Sequence, residues 1–554
     1  MKKNVLSMIL GLALLFGTSL VPTADACTGL IVGKKASTDG SIFISYAADS
    51  HTLYGELYHW PAASWAKGSI LDVTEWDTGK YSGQIAQVGK TYNVIGNLNE
   101  KQVAITESTW GGCDILSETE GLLDYGSLIY ITLQRAASAR EAIDIMTGLV
   151  EKYGYKSTGE SFTIADKNEV WVMEMIGKGK GEKGAVWVAI RIPDNAICAH
   201  ANQARIQQIP FHDKENCKYS PDVVDFARKK GLYKGSDKDF SFQKAYNPYD
   251  FGGLRGCEAR VWSFFNRFAD GMDKYLPLVM GHDMDAEPMP LYVIPNRKLS
   301  LSDIRDMMRD HYEGTPMDMT QDIGAGPYKV PYRWRPMNFE VDGQTYVNER
   351  AIATQQSGFV LVTQLRSDMP DYLGGIQWFA TDDADMAVFT PMYGSMTRVP
   401  WCYSTNNGSM TEFSWTSAFW MHNWVANMAY NKYSFMIKDI RKVQKELEDH
   451  YLMMQPIIEK KAMEIAKAEG EAKAVEFITN YASNLANNMT AEWKRLGEYL
   501  LVKYIDGNVK LEKNGEFVVE NGLVAYPDQP GYSEDYYRTI HEGNYDHLKV
   551  PARK

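Results

Sequence analysis

Cys27-Thr28-Gly29-Leu30-Ile31-Val32-Gly33 is followed by a polar turn over 34–40 and by Ser41-Ile42-Phe43-Ile44-Ser45-Tyr46. The two apolar runs read as buried strands. Asp39-Gly40 between them is a hairpin signal. The pairing holds Cys27 at the start of a rigid strand, and the returning strand carries Asp49 back toward it. What precedes Cys27 explains why a thiol at that place matters. Lys2 and Lys3 open the chain, an apolar run is dense from Met8 to Phe16, and Ala24-Asp25-Ala26 is a small-x-small site. These are the three parts of a secretory leader. Cleavage after Ala26 makes Cys27 the first residue of the mature protein.

A first-residue cysteine has its base built in. The reference pKa of an α-amine is about 7.7–8.0 and that of a thiol about 8.5. The amine can therefore take the thiol proton and later deliver it to a leaving group. A carboxylate at Asp49 is suited to orient that amine. The spacing alone also fits a plain leader and hairpin that happen to begin with Cys.

The remaining composition narrows the function class. The 554 residues are 45% hydrophobic and 23% charged, as in an ordinary globular protein. A net charge of −12 argues against nucleic acid or an anionic membrane as partner. No run after the leader is long enough to span a membrane, so a secreted or periplasmic protein without stable membrane insertion is expected. An uncleaved anchor and lipidation at Cys27 are the rival readings, but the small-residue site argues against the first, and Ala24 stands where lipoprotein leaders usually carry Leu. The six cysteines are no disulfide framework. A Cys198–Cys217 bridge is open but unassignable. Cys198, His200, His212 and Cys217 do not have a standard zinc spacing, and no metal or organic cofactor is expected.

The motif Cys27–Ala36, Asp39-Gly40-Ser41 and Asp49-Ser50 resembles the dipeptidase family of cysteine N-terminal-nucleophile (Ntn) hydrolases. Secernins, penicillin V acylases and bile salt hydrolases are more distant relatives. The resemblance runs with gaps to about Tyr403. It implies an α+β fold, a four-layer αββα Ntn-hydrolase sandwich, and amide hydrolysis with Cys27 as nucleophile. It also implies roles for other residues. Asn202, after "CAHA", resembles the Asn that lines the oxyanion site. Arg260, in "GLRGCEARVW", fits the family's Arg near the nucleophile, with Arg255 as second choice. Two departures stand out. Tyr46 occupies a position where relatives often carry Arg, and Thr109 aligns with an oxyanion-site Asn. Tyr46, Glu107 and Thr109 are candidate substrate-binding residues. Glu107 reads either as a reader of a substrate amine or as a turn carboxylate.

Helical spacing of Ile143, Met146, Leu149 and Val150 after a Ser138–Glu141 capping box predicts a helix over 139–152. Strands are expected over 161–165, 170–175, 185–191 and 196–201, then over 358–365, 376–380 and 387–393. The glycines of 177–184 fit a hairpin loop better than a phosphate loop. From about 434 to 507 the pattern is long, charged and amphipathic: two or three helices that cover the cleft, form a homo-oligomer contact or simply pack on the core. The expected division is a leader over 1–26, a catalytic domain over 27–415 and a C-terminal helical region with a small hairpin over 416–554. The expected activity is hydrolysis of dipeptides through a thioester. An acylase acting on another amide and a non-catalytic envelope lipoprotein are the alternatives.

Overall fold

The computed structural model describes residues 26–117, 119–333, 338–543 and 546–550. The leader expected over 1–26 lies outside them, except for the main chain of Ala26. The chain folds as mixed helix and antiparallel sheet. The first sheet runs, in spatial order, Tyr292–Val293, Ile197–His200, β1 (Ala26–Val32), β2 (Ile42–Asp49), Ser357–Leu365, Gly375–Thr381 and Thr390–Tyr393. The second runs Cys217–Tyr219, Ala185–Ile192, Val170–Gly177, Gly159–Ala165, Ala104–Trp110, Leu98–Asn99, Val94–Ile95 and His59–Trp60. Below, Ala104–Trp110 is β3 and Gly159–Ala165 is β4.

Strand β1 is buried on both faces, as its unbroken apolar run requires. Gly40, at φ +79°, makes the turn into β2. The register sets Cys27 opposite Ala48 and Ala26 opposite Asp49. On its other side Asp49 pairs with Ser357. Ile31, Ile42 and Ile44 of the first sheet join Ala104, Ala165, Val170 and Val172 of the second in one apolar cluster.

Helices α1 (Tyr125–Leu133) and α2 (Ala139–Tyr153) pack on Ile105, Phe162 and Trp171 of the second sheet. Ser138 caps α2 by accepting the Glu141 N–H. The Glu141 carboxylate accepts the Ala137 N–H, so the expected capping box is only half built. Helix α3 (Ala259–Phe268) places Val261, Phe264, Phe265 and Phe268 against the first sheet's cluster.

Helices α4 (Ala418–Ala429), α5 (Tyr433–Glu469) and α6 (Glu471–Tyr504) bury Met421, Ile440 and Trp493 in the same cluster. Gly470 alone, at φ +97°, reverses the chain between α5 and α6. Lys503 near the end of α6 reaches Asp439 near the start of α5 at 2.9 Å, so the two run antiparallel. None of the helices among the described residues is long and apolar enough to cross a membrane.

Several local expectations shift. The strand expected over 196–201 ends at His200, because Asn202 turns into the left-handed region at φ +59°. The strand expected over 387–393 begins at Thr390, after a 3₁₀ turn over Ala384–Met386. All six cysteines are free. Cys198 and Cys217 lie in different sheets and are both unbridged, so the bridge left open by the sequence is not formed.

Candidate active site

Cys27 is held at three atoms. Its N–H donates to Asn202 Oδ1 at 2.9 Å. Its carbonyl accepts from Arg260 Nη1 at 2.8 Å. Its sulfur lies 3.3 Å from Glu107 Oε1 and 3.8 Å from the Tyr46 hydroxyl. Cys27 lines a cavity of about 200 Å³ together with Tyr46, Asp49 and Phe359.

Arg260 acts as the clamp. It sits on the first turn of α3, 1% exposed, and also donates to Thr28 Oγ1 at 2.8 Å and to Asn202 Oδ1 at 2.9 Å. The Asn202 carbonyl thus accepts from both the Cys27 nitrogen and the guanidinium. Its amide nitrogen donates to the Thr109 carbonyl at 2.6 Å. Arg255 instead pairs with Glu349, and Arg260 is the arginine bonded to Cys27 and Asn202.

Glu107 is not in a turn. It lies inside β3 at 1% exposure, so the turn-carboxylate reading is overturned. Alternation along β3 puts Glu107 and Thr109 on one face, and Glu160 lies opposite Thr109 on β4. The Thr109 hydroxyl donates to Glu160 Oε1 at 2.8 Å and approaches Glu107 Oε2 at 3.4 Å. Tyr46 donates a short hydrogen bond to Glu107 Oε1. Two carboxyls are therefore buried together behind the nucleophile. Burial raises the Glu107 pKa, against the Tyr46 hydrogen bond. Burial and then the charge of Glu107 raise Glu160 well above the carboxylate range. The same factors act on the thiol. Burial first, then Glu107 and Asp49, hold Cys27 well above the ordinary value.

Asp49 is 2% exposed. Ser357 donates to its Oδ1 and Arg350 to its Oδ2, each at 2.5 Å. Burial raises its pKa while Arg350 pulls the other way. Arg350, Ser357 and Glu160 carried no sequence signal: the first two stand more than 300 residues from Asp49, and Glu160 is the second residue of a mixed polar and apolar strand with no motif around it.

Gly29 of the opening motif has a packing reason. A Cβ there would meet the His200 ring at 2.8 Å. His200 in turn bonds Ser108 Oγ through Nδ1 and Thr163 Oγ1 through Nε2, each at 2.7 Å. Burial lowers its pKa to about 3, so it is a neutral core residue tying the two sheets. Among the described residues no three His, Cys, Asp or Glu side chains are grouped so as to hold a metal.

The sequence model of Peptidase family C69 matches residues 26–59 and 52–446. A "Probable dipeptidase" of Latilactobacillus sakei is 26% identical over 487 residues, covering 84% of this chain and 92% of the relative. "Dipeptidase A" of Lactobacillus helveticus is 26% identical over 448 residues, covering 77% and 84%. A "Dipeptidase" of Bifidobacterium longum is 25% identical over 425 residues, covering 68% and 72%. With its match spanning most of the chain and a buried cysteine at the edge of a cavity, this protein belongs to peptidase family C69 and is a cysteine-type peptidase.

Proposed function

We propose that this protein is an exported dipeptidase of the Ntn-hydrolase type, activated when cleavage after Ala26 frees the amine of Cys27. One observation carries the reading: a single buried residue offers its sulfur to a cavity while its nitrogen and carbonyl are each pinned by a separate side chain. Removing Ala26 converts that pinned nitrogen from an amide into an amine without moving it. Asp49, directly across from Ala26 in the sheet, is then the neighbouring carboxylate that steadies the positive charge the amine gains when it takes the thiol proton.

In the reaction the amine takes the thiol proton and sulfur attacks the carbonyl carbon of the scissile amide. The tetrahedral intermediate collapses to a thioester as the amine returns the proton to the departing nitrogen. Water, deprotonated by the same amine, then breaks the C–S bond. Loss of the proton matters here because burial and two carboxylates oppose the thiolate. Arg260 counters that charge. Tyr46, Glu107 and Thr109 border the reacting centre and are assigned to substrate positioning. Asn202 is assigned to the nucleophile's nitrogen and to the oxyanion. The second task draws on its amide nitrogen, which carries two N–H donors and gives one to the Thr109 carbonyl.

Two packed sheets with helices on their outer faces suit the αββα reading, with 27–415 as the catalytic unit and 416–554 as a helical region packed on it. Hydrolysis of a dipeptide panel by the matured protein and by Cys27→Ser and Cys27→Ala variants tests the proposal. We expect both substitutions to lower activity by at least about 10³-fold. Equal turnover by all three proteins, or an active form retaining a residue ahead of Cys27, would sink it.

A further inference from the structure

The cavity beside Cys27 is lined by further residues that the chemistry above does not use. Part of its lining is aromatic and carries a carboxylate: Tyr58, Trp76, Asp77, Tyr125 and Tyr130. The rings pack on one another, with centroids 4.7 Å apart for Tyr58 and Trp76 and 4.4 Å for Trp76 and Tyr130. The Tyr125 hydroxyl donates to Asp77 Oδ1 at 2.6 Å, fixing the carboxylate's direction.

Trp76 and Asp77 lie at the tip of the hairpin formed by Ile70–Thr74 and Tyr81–Ala86. The tip is built to stay in place. Glu75 pairs with Lys156, and Gly79 N–H donates to the Glu75 carbonyl at 2.8 Å. Trp76 N–H donates to Asp124 Oδ2, the cap of α1, at 2.5 Å. Gly126 in α1 leaves the room Trp76 needs, since a Cβ there would stand 2.3 Å from the indole Cγ. Asp77 and Cys27 line the same cavity of about 200 Å³, a space in which one small molecule can meet both.

We propose that Asp77 and these aromatic rings form a cation subsite. It takes a positively charged nitrogen of the residue on the acyl side of the scissile bond. An ammonium group is matched there by a carboxylate that Tyr125 orients and by an aromatic lining, the two features that select cations over neutral groups. The charged nitrogen is either the α-ammonium of that residue or the side-chain ammonium of a lysine. The inference rests on the dipeptidase reading for the identity of its ligand, but not for the existence of the subsite.

Calorimetric titration of the non-hydrolysing Cys27→Ala protein with Ala-Ala, Lys-Ala and N-acetyl-Ala-Ala tests it, with and without Asp77→Asn. Asparagine retains an oxygen for the Tyr125 hydroxyl, and Asp77→Glu serves as the conservative rescue. If the α-ammonium is bound, Asp77→Asn weakens Ala-Ala and Lys-Ala by about ten-fold or more and leaves the N-acetyl peptide unchanged. If the lysine side chain is bound, the loss is confined to Lys-Ala. Equal affinities in both proteins, an equal loss for all three peptides, or no binding of any of them overturns the subsite. Turnover of the same peptides by the Cys27 protein is read separately. Asp77-dependent binding without turnover removes the dipeptidase reading and leaves the subsite standing.

Discussion

Replacing Glu107 by Gln removes a negative charge from the immediate surroundings of the Cys27 sulfur. That charge opposes formation of the thiolate, so its loss lowers the thiol pKa. Alkylation of Cys27 by iodoacetamide, followed across pH by mass spectrometry, is expected to show its midpoint at lower pH in Glu107→Gln, by about one unit. An unchanged midpoint means that the carboxyl beside the sulfur is protonated throughout and exerts no charge. Tyr46 gives this arrangement its character. It supplies a hydroxyl that Glu107 accepts from, and no permanent positive charge. The fixed cation near Cys27 is instead Arg260, which reaches the residue's carbonyl.

The hairpin β1–β2 depends on contacts beyond its own strands. Gly29 faces His200, and the imidazole is wedged by hydrogen bonds to Ser108 and Thr163 across the gap between the sheets. It cannot retreat from an added methyl group without breaking one of them. Gly29→Ala is therefore expected to destabilise the protein by about 1–3 kcal/mol, the usual range for overpacking. Thermal denaturation measures this directly. Because the clash lies two residues from the nucleophile, kcat should fall as well. A Gly29→Ala protein with unaltered melting temperature would show that His200 has freedom the packing denies it.

The long helices attach to the sheets through buried ion pairs as well as apolar packing. Glu448 of α5 accepts from Arg309 at 2.6 Å and lies 3.4 Å from Arg305. Burial pushes its pKa up, but Arg309, Arg305 and the Phe389 N–H outweigh this and leave it lowered. A lowered carboxylate stabilises the fold above the unfolded-state pKa of about 4.3, and that contribution disappears as pH falls through the folded-state value. Glu448→Gln takes from two buried guanidiniums their buried counter-charge, leaving Arg309 only the exposed Asp306 at 3.6 Å, and should cost about 3–5 kcal/mol at neutral pH. Melting temperatures measured from pH 7 to pH 3 should fall less steeply for the variant than for the parent protein. Parallel curves would assign the acid sensitivity to other carboxylates.

The linear chain by itself determined the local pieces: the apolar runs of β1 and β2 around Asp39-Gly40, the face of α3 that carries Arg260, and the periodicity of α2. Each is written in neighbouring residues, because strands and helices repeat every two or 3.6 positions. The conspicuous Cys27 and its preceding small-residue site were legible for the same reason. Only the tertiary structure decided what surrounds the sulfur. Glu107, Glu160 and Thr109 meet because β3 and β4 pair in one register, and a one-residue slip would turn their side chains to the opposite face. Arg350 and Ser357 reach Asp49 across more than 300 residues. No periodicity encodes such meetings. They arise where two sheets and their covering helices close on a common core, and there burial and charge set the chemistry of the thiol.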